Sequence, residues 1–196
     1  MRRVSAIRRT LPLLRLPLRV ARFFFRARRL AARTGDDWSL ASATHPESLA
    51  VLLRLARGRR RVVEIGTGTA WTTVSLALAD PQRVVRSYDP VARPEREHYL
   101  ELAGADARAR IELVDEPGER PPRDPDWRPE LVFIDGSHEQ DLTMATFRLW
   151  RTLLAPGGIV AFHDRHNPLY PGVDDAIAKL GLRGEDRGDI FVWRAP

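Results

Sequence analysis

From residue 62 onward the chain alternates short apolar runs with stretches of helical periodicity, and no other feature restricts its fold as strongly. Val62-Val63-Glu64-Ile65 predicts a strand, followed by a Gly66-Thr67-Gly68 turn and a helix from about Trp71 to Ala79. Val84–Tyr88 predicts the second strand, Pro94–Leu102 a helix, and Arg110–Val114 the third strand. After a proline-rich charged loop over residues 116–129, Glu130–Ile134 reads as strand four and residues 140–154 as a helix. Strand five spans Gly158–His163, and Leu182–Asp186 with Asp189–Arg194 form a terminal antiparallel hairpin around Gly188. Strands that alternate with helices must pair mostly in parallel, because each crossover carries a helix over a sheet face. The expected fold is therefore α/β: a doubly wound, mostly parallel, seven-stranded sheet with a C-terminal antiparallel hairpin and N-terminal helices.

The 196 residues suffice for one domain with a sizeable core. With no cysteine, a disulfide framework, a zinc–thiolate site and a thiol nucleophile are excluded. No apolar run approaches the roughly 18 residues of a membrane span, and Arg interrupts the N-terminal stretch too often for a cleaved leader. A cytoplasmic location is expected. Eleven of the 32 basic residues and none of the 26 acidic ones lie within residues 1–33, leaving 21 basic against 26 acidic residues elsewhere. Lys179 is the single lysine, a bias that codon composition alone can produce, so basic character by itself says little about nucleic acid.

Residues 1–43 read as a basic helical extension and 44–196 as the main domain. From about Leu18 to Arg33, Arg19, Arg22, Arg26, Arg29 and Arg33 fall within about 80° of a helical wheel, opposite Val20, Phe23 and Phe24. Such a helix can lie on an anionic membrane, meet a partner helix, or pack on its own domain or across a homodimer. Since the sheet pattern begins only at Val62, removing residues 1–33 is expected to leave the domain folded. Thr44 and Glu47 have capping-box spacing ahead of Leu49, with Pro46 at an early helical position.

In sheets of this kind ligands bind beyond the carboxyl ends of the strands. The residues there are Glu64 to Gly68, Asp89, Asp115, Asp135-Gly136-Ser137-His138 and His163-Asp164. Gly66 and Gly68 let a ligand approach the backbone, while Trp71 occupies the third-glycine position of a dinucleotide loop and argues against a pyrophosphate clamp. Glu64 can meet a cationic ligand group and Asp89 can grip ribose hydroxyls, which together point to a positively charged nucleoside.

Val63 to Ala70, with Phe133–His138, Leu154–Gly158 and Phe162–Asp164, resembles the class I S-adenosylmethionine-dependent methyltransferases, in particular a small bacterial subgroup of O-methyltransferases. The resemblance covers about residues 44–196 and implies a Rossmann-like fold that binds S-adenosyl-L-methionine. It implies that Glu64 sits near the methionine end, that Gly66, Thr67 and Gly68 admit the cofactor, that Asp89 binds the ribose, and that Asp115 (or its neighbour Glu116) reaches the adenine. It also implies methyl transfer to a hydroxyl oxygen of a small-molecule acceptor.

Asp135, His138, His163 and Asp164 form a second group. Asp135 and Asp164 end neighbouring strands and suit a hard divalent ion such as Mg²⁺, which would hold acceptor oxygens and ease their deprotonation. His138 is the candidate general base, because an imidazole titrates near neutrality. Equally, Asp135 caps a helix and His138 belongs to a turn; His163 is either ligand or packing residue. The alternative from another class is a noncatalytic nucleoside-binding or membrane-attached accessory protein. Nucleic acid is not expected as a partner, since Asp-Gly-Ser-His stands where base methyltransferases carry an Asn/Asp-Pro-Pro-aromatic motif.

Overall fold

The computed structural model describes Leu13, residues 15–120 and residues 122–196; Pro12 and the arginines before it lie outside the described residues. The helices before the sheet are α1 (Leu18–Thr34), α2 (Asp37–Ser42) and α3 (Pro46–Leu55). Then follow β1 (Arg61–Ile65), α4 (Trp71–Ala79), β2 (Val84–Tyr88), α5 (Arg96–Ala103), α6 (Ala105–Arg108) and β3 (Ile111–Val114). The second half contains β4 (Leu131–Ile134), α7 (Gln140–Leu153), β5 (Ile159–Phe162), α8 (Pro171–Lys179), β6 (Glu185–Arg187) and β7 (Ile190–Arg194).

The seven strands form one sheet in the order β3-β2-β1-β4-β5-β7-β6. β1 to β5 are parallel, and β7 runs antiparallel to both β5 and β6, as the strand–helix alternation and the Gly188 hairpin predict. Successive residues serve opposite faces. Leu131, Phe133, Ile159 and Ala161 join one core with α1, α3 and α4; Val132, Ile134, Val160 and Phe162 join another with α7 and α8. Strand order reverses between β1 and β4, which opens a crevice at their carboxyl ends.

α1 contributes to the core of the domain. Val20, Phe23, Phe24, Ala27 and Ala31 are buried in the same core as Leu49, Trp71 and Leu100. Phe24 meets Trp71 edge-on at 5.2 Å, and Trp71 meets Tyr99 at 5.2 Å. The apolar side of the helix therefore packs on its own domain, and removing residues 1–33 would expose the partners it covers. Trp71, at the third-glycine position, serves this junction. Gly35 in the left-handed region (φ 70°) ends the helix, as its position predicts.

One local expectation changes. Thr44 does not cap a helix: His45 is the N-cap of α3 without a side-chain bond, and Thr44 Oγ1 reaches Thr72 Oγ1 at 2.9 Å. Between β5 and the hairpin lies α8; Pro171 starts it and Val173, Ala176 and Ile177 bury one short face.

Candidate active site

Backbone pairing continues one residue past the strands and sets the site residues side by side. Gly66 N–H donates to Tyr88 O (2.8 Å), Asp89 N–H to Val114 O (3.1 Å), Asp135 N–H to Ile65 O (2.8 Å) and His163 N–H to Ile134 O (3.0 Å). Above this row opens a cavity of about 870 Å³, within the range of small-molecule sites. Its walls include the Gly66–Thr69 loop, Asp89, Asp135, His138, His163 and Asp164. Residues 41–45, Trp38 of α2, Pro117–Glu119 and the loop 165–170 complete it.

Gly66 has φ 100°, and a Cβ there would lie 2.0 Å from Asp135 O. Its missing side chain thus lets the first and fourth strand ends approach each other, a packing need as well as a ligand need. Asp89 accepts Gly68 N–H at 2.8 Å and Val91 N–H at 2.9 Å. Each carboxylate oxygen keeps a further lone pair for a ligand hydroxyl. Thr67 Oγ1 pairs with Ser87 Oγ at 2.7 Å, leaving its backbone on the cavity wall.

Glu64 does not line the cavity. It is 1% exposed beneath the glycine loop, where Thr73 Oγ1 and Ser87 Oγ (2.6 Å) donate to its carboxyl. Burial, which the two hydroxyl donors offset only in part, pushes its pKa up to about 8. This yields a stability prediction with a definite sign. Between the ordinary carboxyl pKa of 4.5 and about 8, the folded state holds a proton that the unfolded state has lost. Glu64 therefore adds stability below the lower value and loses it as pH rises, by roughly 1.4 kcal/mol per pH unit. Glu64→Gln should flatten the fall in melting temperature across that window. A parallel pH profile for both proteins would show that Glu64 is already ionised in the fold.

Asp115 also stands outside the cavity. Arg96, buried behind the loops, binds Asp115 at 3.0 Å, Gly68 O at 3.1 Å and Val91 O at 2.8 Å. Asp115 faces a separate cleft of about 350 Å³ with Tyr88 and Arg123. The segment that does reach the main cavity is Pro117–Glu119, held where Trp150 Nε1 donates to Gly118 O at 2.7 Å.

The acidic group comes together as its strand positions predict. His138 Nε2 lies 2.8 Å from Asp164 Oδ2 and 3.8 Å from Asp135 Oδ1, and one ligand atom from each residue falls within 4.8 Å of the others. His138 Nε2 is buried yet has no partner at hydrogen-bond angles, and its ring stacks on Tyr170 at 3.9 Å. Asp164 holds a left-handed backbone (φ 58°), a strained state for a residue with a Cβ. His163 bridges Asp135 Oδ1 (2.8 Å) and Asp189 Oδ2 (3.3 Å), and Ser48 Oγ donates to Asp189 at 2.6 Å. Thr44 Oγ1 donates to Asp135 Oδ2 at 3.3 Å.

Burial opposes a charge on His138, but its contacts with Asp135 and Asp164 outweigh that and push its pKa up to about 9. His163 is driven well above the ordinary imidazole range, its burial outweighed by Asp135, Asp164 and Asp189. Burial likewise opposes ionisation of Asp135 and Asp164, yet the two imidazoles hold both carboxyls below their usual range. The site thus joins Asp135 and Asp164 through the His138 and His163 imidazoles, with Asp189 on the far side of His163. Thr44, Ser48, Trp38, Arg96 and Asp189 have no sequence signal that would have found them, since Thr44 and Asp135 are 91 residues apart.

No curated protein matches the sequence. Among solved structures, the fold resembles CalS11, a TDP-rhamnose 3'-O-methyltransferase of calicheamicin biosynthesis, at 20% identity (TM-score 0.59; 75% of this chain and 76% of that one). It also resembles TomG from Streptomyces achromogenes, an O-methyltransferase of tomaymycin synthesis solved with SAM, at 22% identity (TM-score 0.58; 84% and 86%). A third is the Bacillus cereus O-methyltransferase in complex with SAH, at 16% identity (TM-score 0.61; 85% and 88%). A family model described as a methyltransferase domain matches residues 63–165, from within β1 to just past β5, which is more than half the chain and contains the glycine loop, Asp89 and the carboxylate–imidazole group. This chain belongs to the methyltransferase domain family.

Proposed function

We propose that the protein transfers a methyl group from S-adenosylmethionine to a hydroxyl oxygen of a small-molecule acceptor, with a divalent cation at Asp135 and Asp164. The observation that carries this reading is the single cavity wall on which the glycine loop and Asp89 stand beside the Asp135–His138–Asp164 group. The three similar solved structures named above are themselves O-methyltransferases, which supports the same chemistry here.

The donor set fits the cofactor. Asp89 retains lone pairs for the ribose hydroxyls, Gly66–Gly68 admit the chain of the nucleoside, and Pro117–Glu119 line this cavity whereas Asp115 lines the separate cleft. Glu64 supports the loop from below through Thr73 and Ser87 rather than touching the ligand. When bound, S-adenosylmethionine supplies an electrophilic sulfonium methyl, so the protein need only align an oxygen with it and remove a proton.

Asp135 and Asp164, whose ligand atoms lie within 4.8 Å of each other and of the His138 imidazole, fit a divalent metal as well. Two carboxylates favour Mg²⁺ or Mn²⁺ and leave the His138 lone pair free to act as a base. Such an ion would lower the pKa of an acceptor hydroxyl. His138 carries a proton at neutral pH in the ligand-free protein, so it serves as a base only once positive charge near the carboxylates replaces that proton. Thr44 and His163 keep Asp135 oriented.

Calorimetry with S-adenosylhomocysteine tests the reading directly. Binding in the micromolar range is expected, ~−8 kcal/mol. Asp89→Ala should weaken it by ~1.5–3 kcal/mol, the scale of hydrogen bonds to a charged group. Absence of heat with the wild-type protein would overturn the proposal.

A further inference from the structure

The inward side of α1 is buried in the core, and its outward side is not accounted for by the fold or by methyl transfer. Arg19, Arg22, Arg26, Arg29 and Arg33 are all exposed there. On the same side Leu18 is 66% and Phe25 51% exposed, with the Arg29 guanidinium 5.6 Å from the Phe25 ring centre. At 100° per residue, Leu18 and Phe25 fall next to Arg29 and Arg22, so apolar and cationic groups share one outward strip. We infer that this outward face of α1 docks the enzyme on an anionic lipid bilayer, Leu18 and Phe25 entering the interface and the arginines meeting headgroups.

Two observations select a lipid surface over other polyanions. A membrane touches one side of the protein only, and the net positive charge lies at one end of the sequence: residues 1–33 contain eleven Arg and no acid, whereas the remainder has more acidic than basic residues. A nucleic acid that bent around the domain would meet that acidic excess. An exposed Leu and Phe among arginines gain free energy by leaving water for the acyl boundary, and neither gains on a phosphate backbone. In the sequence, Met1, Val4, Ile7 and Leu11 alternate with four more arginines ahead of the helix, continuing the same composition.

This inference is independent of cofactor and metal. Full-length protein should sediment with phosphatidylcholine vesicles containing phosphatidylglycerol and stay in solution with phosphatidylcholine alone. Raising ionic strength from about 0.1 M to about 1 M, which shortens the Debye length from ~10 to ~3 Å, should release it. Each arginine near an anionic surface is worth roughly fivefold in partitioning. The fourfold variant Arg19→Gln, Arg22→Gln, Arg26→Gln, Arg29→Gln should therefore bind at least a hundredfold more weakly, with its melting temperature checking the fold. Phe25→Gln alone should weaken binding several-fold, which purely electrostatic attraction would not produce. The inference is overturned if the wild type ignores anionic vesicles, or if the fourfold variant pellets like the wild type. It is equally overturned if duplex DNA strips the protein from vesicles at equal phosphate concentration.

Discussion

Deleting residues 1–34 should abolish soluble folded protein. Val20, Phe23 and Phe24 are almost wholly buried in the core that holds Trp71 and Tyr99, and burying one such side chain is worth about 1.5–3 kcal/mol. Their loss, with the newly exposed partners, is of the order of the whole stability of a domain, ~5–15 kcal/mol. A single substitution reports the same contact without deletion. Phe24→Ala should cost ~3–5 kcal/mol and lower the melting temperature by roughly 10 °C or more. If the truncated chain expresses, stays monomeric and melts as the full chain does, α1 is a separable arm and its packing on Trp71 carries no stability. Replacement of the outward arginines should leave the melting temperature nearly unchanged, because exposed charges contribute little.

Turnover should depend on Asp135 and His138 more steeply than on any residue that holds the cofactor. Removal of a positioned base costs ~10²–10⁴ in rate. On a panel of phenolic and sugar acceptors with labelled S-adenosylmethionine, His138→Ala should lower kcat by that order and leave S-adenosylhomocysteine affinity unchanged. Asp135→Asn should do the same and should also remove the heat of Mn²⁺ binding expected of the wild type, as should Asp164→Asn. Thr44→Val, which removes one donor to Asp135 and changes no charge, should give an intermediate loss. Activity that survives full chelation but still requires His138 would make the carboxylates a structural cross-link. Wild-type rates in both His138→Ala and Asp135→Asn would move the chemistry away from the β4–β5 edge altogether.

Local pattern determined most of the fold. Short continuous apolar runs, Gly turns and the Gly188 hairpin specify the strands, and the parallel arrangement follows because the connections are helical. The row of strand-end residues was legible for the same reason: strands of one sheet end at one edge, so Gly66, Asp89, Asp135 and His163 had to lie near one another. What the sequence could not determine were contacts made across the chain by residues of ordinary local type. The wheel of α1 shows one apolar and one cationic side, but whether the apolar side meets a membrane or Trp71 is a matter of tertiary packing. Asp115 and Glu64 look like ligand acids by position, yet Arg96 takes the first and buried hydroxyls enclose the second. Thr44 has the spacing of a helix cap and instead donates to Asp135, because its neighbours in space are 91 residues away in sequence and hydrogen bonding follows distance in the folded chain.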